Sequence, residues 1–294
     1  MAAGAFRTRM AALVLAGIVA AGLAVPPAEA EQARYLFGAK RDAAGTAPAP
    51  IGSYAAGCLA GGTRLAESGP GWETVRLSRN RNWGHPAMIA YIRRLSAEAQ
   101  TIGWSRIYVA DISQPRGGPM TSGHSSHQIG LDADIWLRRP TPRPLSPDER
   151  EGLKTYSVVA GNKRDLNANW TPAHHALIRT AASDPEVARI FVHPAIKKGL
   201  CEAEPAAAER QWLRKIRPWF GHDSHFHVRL SCPVGAATCV EQAPPPPGDG
   251  CGEELASWFL PPDPNAKPRP RTGPPRGRYI TLSQMPAACA PLVR

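Results

Sequence analysis

The chain has 294 residues, a formal net charge of +11, 43% hydrophobic residues and 31 prolines. That length buries one sizeable core, or a core with appendages, and no segment after the first thirty residues is long and apolar enough to span a membrane. The charge favours anionic partners. Export and the lack of any nucleic-acid module pattern point away from nucleic acid and toward an anionic wall polymer or membrane surface, although a basic bias (many Arg, few Lys) accounts for much of the charge.

Residues 1–30 read as a secretory signal. Arg7 and Arg9 form a positive start, Met10–Val25 an apolar run, and Ala28-Glu29-Ala30 a small-residue cleavage signature. The apolar run is short for a bilayer span of about 20 residues. Cleavage is therefore expected after Ala30, with no stable membrane insertion afterwards. Residues 31–52 read as a flexible N-terminal arm with an Ala-Pro-Ala-Pro stretch.

The main domain is expected over residues 53–240. Pro86 and the apolar spacing of Ile89, Ile92, Leu95 and Ala99 predict a helix over His85–Gln100. Arg106–Ile112 predicts a strand. A loop rich in Gly, Pro and Ser follows, Gln114–His127, then a strand near Gly130–Leu137. Ser146-Pro147-Asp148-Glu149 has capping-box spacing, and Thr171-Pro172 and Asp184-Pro185 are two more helix starts. Arg189–Val192 predicts a short strand and Glu209–Arg217 a helix. Ser224–Leu230 alternates His225, His227 and Arg229 with Phe226, Val228 and Leu230, the pattern of a half-buried strand with its histidines on the open face. Residues 241–294 hold 13 of the 31 prolines and predict an extended, proline-rich extension packed on the domain. Helices and strands are intermixed without a βαβ rhythm, so the fold class is α+β.

Six cysteines, an even count, lie outside the leader, which in an exported chain suggests three disulfides. Spacing leaves fifteen pairings open, though Cys232 and Cys239 could close a short local loop. No Cys-x-x-Cys pair supports a cysteine zinc site.

Two segments concentrate the chemistry. Ser122–Trp136 carries His124, His127, Asp132 and Asp134; Gly221–Arg229 carries His222, His225 and His227. Five of the nine histidines fall there, too many for chance clustering. Catalytic zinc takes three protein ligands and keeps a fourth position open. His225 and His227 share a strand face, and a turn between His127 and Asp134 would bring both to one ion. Two imidazoles and a carboxylate leave a net +1 on such a unit, enough to lower the pKa of water toward about 7 and polarise a carbonyl. Asp132 shares the face of Asp134 and is the rival ligand, or an orienting partner for a histidine. His85, His174, His175 and His193 read as core or surface residues. Ser125, Ser126 and Gln128 touch substrate or cap a turn, and Arg116 is a weaker candidate for a peptide carboxylate.

The spacing His127-x6-Asp134 with His225-x-His227 resembles the zinc signature of the lysostaphin, D-Ala-D-Ala carboxypeptidase and hedgehog metallopeptidases. Within that group, Ser122-Gly-His-Ser-Ser-His-Gln-Ile-Gly-Leu-Asp-Ala-Asp-Ile-Trp136 resembles the penicillin-insensitive murein endopeptidases. So do Trp212-Leu-Arg-Lys-Ile-Arg-Pro-Trp219, His225–Pro233, Ile190–Lys197 and Gly248–Gly252. The resemblance implies a small antiparallel sheet with flanking helices and a disulfide-tied extension. It implies a Zn2+ held by His127, Asp134 and His227, with His225 and His222 as catalytic histidines and His124 as a further site residue. It implies the pairs Cys58–Cys289, Cys201–Cys251 and Cys232–Cys239. The implied substrate is peptidoglycan, cut in the periplasm at D-alanyl–diaminopimelyl cross-links and without sensitivity to β-lactams. Some members carry an Asp-x-x-His pair associated with extra metal; Gly161 and Arg164 stand there in this chain, which argues against a second ion. The competing readings are a non-catalytic zinc-containing wall-binding module and a D,D-carboxypeptidase or L,D-endopeptidase of the same group.

Overall fold

A computed structural model describes residues 32–204, 206–261 and 276–294 together with Met1. The expected signal and its cleavage point lie outside the described residues. No described helix is long and apolar enough to cross a membrane. In chain order, α1 spans Ala33–Gly38, β1 Ala49–Ser53, β2 Ala56–Ala60, β3 Thr63–Arg64, β4 Ser68–Gly69, β5 Trp72–Thr74 and β6 Trp83–Gly84. Then come α2 at Pro86–Thr101, β7 at Ile107–Val109, β8 at Asp132–Trp136, α3 at Pro147–Gly152 and α4 at Pro172–Ser183. β9 (Val187–Val192), α5 (Pro194–Ala203), β10 (Ile216–Pro218), β11 (His225–Leu230) and α6 (Glu253–Ser257) complete the set.

Seven strands form the main sheet in the order β10-β9-β11-β8-β7-β5-β4. Its centre, β9-β11-β8-β7, is antiparallel, but β10 runs parallel to β9 and β5 parallel to β7. The sheet is thus mixed and larger than the small antiparallel one expected. The reason is two crossovers, α2 between β5 and β7 and α5 between β9 and β10, since a helical return permits parallel pairing.

One face of the sheet is the apolar core. Phe226, Val228 and Leu230 from β11 and Ala133 and Ile135 from β8 pack with Met88, Ile92 and Leu95 of α2 and with Leu177 and Ile178 of α4. Each such large side chain contributes about 1.5–3 kcal/mol when fully buried. His85 caps α2, its Nδ1 accepting from Ala87 N at 3.2 Å, with Pro86 in the first turn. Ser146 and Glu149 form the expected capping box of α3.

Several expectations are corrected. The opposite face of β11 is not open: His227 and Arg229 are buried too, because the His127 ring lies 4.4 Å from His227 and Tyr54 covers Arg229 at 4.2 Å. Asp184-Pro185 starts no helix; Asp184 Oδ1 accepts from Glu186 N at 2.9 Å in a turn that feeds β9. The same Asx geometry serves a turn or a cap. Residues 207–215 wind as a 3-10 helix, and the chain straightens at Ile216 to pair with β9. The strand expected over Arg106–Ile112 is shorter, Ile107–Val109.

Residues 32–52 do not form a loose arm. Phe37 and Ala33 are fully buried with Cys58, Ile280, Met285, Cys289 and Leu292 in a second apolar cluster. A Cβ at Gly118 would stand 2.2 Å from the Phe37 ring, and Gly118 has φ +74°, so only glycine fits there. Disulfides join Cys58 to Cys289, Cys201 to Cys251 and Cys232 to Cys239. The first pins residues 276–294 to β2 and the second pins the segment before α6 to α5.

Candidate metal centre

The site is built where the paired strands β8 and β11 meet the Gln114–Gly130 loop. The pairing register sets His227 opposite Asp134, and Arg229 opposite Asp132. Alternation then places Asp132, Asp134, His225, His227 and Arg229 on one face.

The loop delivers His127 from above. His127 holds a left-handed backbone, φ +67°, which costs a non-glycine residue about 1–3 kcal/mol unless its surroundings impose it. They do: its N–H donates to Asp132 Oδ2 at 2.8 Å, and its Nδ1 lies 2.7 Å from the Ile112 carbonyl. The carbonyl can only accept, so Nδ1 carries the proton and Nε2 offers a lone pair.

Gln128, weighed as a substrate contact, is wholly buried and structural. Its Nε2 donates to Ala55 O, Ser125 O and Gly277 O, and its Oε1 accepts from Gly57 N. Arg116 is likewise structural, donating to Asp42 O and Leu292 O. Ser125 is exposed and Ser126 half-buried.

Three donor atoms converge. His127 Nε2 and His227 Nδ1 are 3.2 Å apart, and Asp134 Oδ1 lies 3.4 Å and 3.3 Å from them. Atoms so spaced share a centre about 1.9 Å from each, close to zinc–nitrogen and zinc–oxygen distances. Asp134 Oδ1 is buried and has no hydrogen-bond partner. An orphaned carboxylate oxygen facing two imidazole lone pairs is the environment a divalent cation completes. A second grouping overlaps the first: donor atoms of His124, His127 and Asp134 lie within 4.8 Å of one another. His124, however, is engaged elsewhere, its Nε2 3.0 Å from Asp111 Oδ2 and 3.5 Å from the other oxygen of Asp134.

The outer groups hold this arrangement. Arg229 donates to both oxygens of Asp132, at 2.7 and 3.0 Å. His227 Nε2 lies 3.1 Å from Asp132 Oδ1, off the line of a good hydrogen bond. Asp132 is thus committed to Arg229 and the His127 backbone rather than to the converging point. Asp111, at the end of the β7 run, pairs with Arg81 at 2.8 Å and Arg79 at 3.2 Å. That Arg–Asp–His chain was missed in the sequence; the available signal was a carboxylate inside the apolar run Ile107-Tyr-Val-Ala-Asp111-Ile.

Electrostatics separate the groups. Burial, together with the neighbouring His127 and against the pull of Asp132, pushes His227 down to about 3. Burial also lowers His127, but the Asp134 and Asp132 carboxylates outweigh it and raise the group. A proton on His127 would stand in for a cation between those acids. Burial disfavours charge on Asp134, yet His225, His124 and His127 hold it well below the usual carboxylate range. Burial pushes His222 down to about 4, with His225 adding to the shift. His222 Nδ1 lies 3.1 Å from Phe220 O, and its ring is 4.9 Å from that of His225. His225 Nε2 lies 3.6 Å from Asp134 Oδ2 at the half-open rim.

The remaining histidines are structural. His193 caps α5 through Ala195 N, His174 bonds Thr171 and Leu137 O, and His175 faces Glu204 at 3.2 Å. Gly161 and Arg164 lie on an exposed turn, with Arg164 donating to Phe259 O.

The family model for penicillin-insensitive murein endopeptidase matches residues 50–294. The chain is 48% identical over 227 residues to the penicillin-insensitive murein endopeptidase of Haemophilus influenzae, covering 77% of this chain and 79% of that one. The proteins of the same name from Klebsiella pneumoniae and Yersinia pestis are 45% and 46% identical, over 76% and 78% of this chain and 81% and 82% of theirs. A family match that spans every converging residue, joined to relatives this similar over this much of their length, places the chain in the penicillin-insensitive murein endopeptidase family.

Proposed function

We propose that the protein is a zinc-dependent murein D,D-endopeptidase of the periplasm, hydrolysing D-alanyl–diaminopimelyl cross-links and unaffected by β-lactams. The observation that carries the metal reading is the convergence of His127 Nε2, Asp134 Oδ1 and His227 Nδ1 around one point with the carboxylate oxygen otherwise unpartnered. Two imidazoles and one carboxylate suit zinc and leave room for substrate. The names of the relatives support the substrate class, and the signal-like first thirty residues support export.

When bound, zinc supplies Lewis acidity, polarising the scissile carbonyl and lowering the pKa of water. The chain's own residues do the rest. The Ile112 carbonyl fixes the tautomer of His127 so that Nε2 faces the converging point, and burial, against the pull of Asp132, keeps His227 neutral. His225 stands at the rim, placed to donate to the developing oxyanion or carry a proton to the leaving amine. His222 spends its Nδ1–H on Phe220 O, leaving Nε2 as an acceptor; its depressed pKa keeps it neutral at pH 7. No serine nucleophile is needed, which is why a β-lactam, an acylator of serine, finds no target.

The test is digestion of purified cross-linked muropeptide dimers, with products identified by mass spectrometry. Cleavage should stop with a chelator, return with zinc and continue under penicillin. His225→Ala should abolish turnover while retaining zinc. Cleavage that persists after thorough metal removal overturns the mechanism, and cleavage at another bond overturns the D,D assignment. Unimpaired wall binding and phenotype in His225→Ala would favour a binding module.

A further inference from the structure

Beside the histidines lies a cluster of aromatic rings that the chemistry above does not use. Trp219 and Phe220 are consecutive and 56% and 57% exposed. Trp258 of α6 joins them, 6.2 Å from Trp219 and 5.3 Å from Phe220. Phe191 links the cluster to the site, its ring 6.0 Å from Trp219, 6.2 Å from His222 and 5.3 Å from His227. Adjacent large aromatics left in water mark an interaction surface.

The surface is held rigid from two sides. Trp219 N donates to Val192 O at 2.7 Å and His193 N to His222 O at 2.8 Å, so both ends of the loop are tied to the end of β9. α6 is fixed by the Cys201–Cys251 disulfide and the Arg217–Glu254 ion pair. The rings meet one another at 56–72°. Edge and tilted contacts leave ring faces free for a ligand, where a mutual stack would have consumed them.

Resting on the function proposed above, we propose that Trp219, Phe220 and Trp258 form a saccharide subsite, taking the pyranose rings of the glycan strand that bears the stem peptide being cut. A pyranose presents a flat, uncharged C–H face suited to an aromatic ring. The stem peptide is rich in carboxylates and calls for guanidinium partners; Arg217, two residues before Trp219, is already paired with Glu254. Continuity with His222 places the platform one ring away from the reacting centre, where remote binding energy can be used in turnover.

The zinc-loaded mature chain tests this with three probes: cross-linked dimers carrying their disaccharides, the same dimers stripped of sugar, and peptide-free glycan oligomers. For Trp219→Ala and Trp258→Ala, the ratio of kcat/KM on sugar-bearing to sugar-free dimers should fall about tenfold. Tryptophan fluorescence of the wild type should shift with peptide-free oligomers, and the shift should shrink in both variants. Phe220→Ser, which alters an exposed ring only, repeats the test should an indole variant misfold. Equal losses on both dimers, or a wild type indifferent to sugar in turnover and fluorescence, overturns the subsite. If the wild type cuts neither dimer, the endopeptidase reading fails, and the oligomer titration alone decides whether sugar binds.

Discussion

Asp132 and Asp134 lie two residues apart on the same face of the same strand, both buried, and their surroundings differ in kind. Asp132 is closed: Arg229 donates to both its oxygens, and the His127 backbone N–H takes a further position. Asp134 is open: among the described residues its ion-pair partners are all imidazoles, His124, His127, His225 and His227. A buried carboxylate with a guanidinium is complete within the protein. One ringed by imidazole nitrogens is the setting that a cation completes. Two residues along the ladder separate a structural ion pair from a candidate metal centre, and β11 provides both by placing Arg229 and His227 opposite the two acids.

Replacement should break the symmetry between these acids. The largest effect is expected for Asp134→Asn: zinc content, by elemental analysis, should fall from about one ion per chain to background, and muropeptide cleavage with it. Full zinc content in that variant would remove Asp134 from the ligand set. Stability should respond in the opposite order. With metal chelated at pH 8, Asp132→Asn strands buried Arg229 and should cost about 3–5 kcal/mol. Asp134→Asn strands no guanidinium and should cost under about 1 kcal/mol by the same reasoning. Urea midpoints give both values, and equal losses would dissolve the distinction.

Asp111 sharpens the comparison from outside. It holds His124 against the second oxygen of Asp134, so Asp111→Asn should lower zinc affinity about 10- to 100-fold. Competition with a chromophoric chelator measures this, and unchanged affinity would make Asp111 purely structural.

Lys197 is a third kind of buried charge, with carbonyls as its partners: Nζ donates to Leu213 O and Asp249 O. Burial, with Arg217 adding, lowers its pKa from 10.5 to about 7. Between those values the unfolded chain binds more protons than the folded one, so stability should rise with pH across that window. The slope is at most about 1.4 kcal/mol per pH unit. Melting curves at pH 7 and 9 should show the rise in wild type and its loss in Lys197→Met; a fall in wild type would contradict it.

Much of this was legible before any coordinates. The apolar spacing in Met88–Ala99 makes α2, the Ser146 box starts α3, and β11 follows its alternation, because these signals act over a few residues. The histidine-rich strings marked the site for the same reason: donor types and spacing survive in one dimension. Other features were not legible. Asp184-Pro185 carries a helix signal yet lies in a turn that feeds β9, and the helix signal of Glu209–Arg217 gives a 3-10 helix that pairing of β10 with β9 ends at Lys215. The residue range 31–52 reads as loose because Phe37 finds its partners in β2, at Gly118 and at the far end of the chain.

The sequence alone marked the histidine-rich strings, the local helices and strands, and the even cysteine count, since each depends on side-chain chemistry or short-range periodicity. The tertiary structure decided which acid meets an arginine and which meets imidazoles, and that Asp111 backs His124. It also decided that Trp258 joins Trp219 and Phe220. These contacts join residues up to 97 positions apart, and only strand register, two crossover helices and the disulfide-tied extension bring them within ångströms of one another.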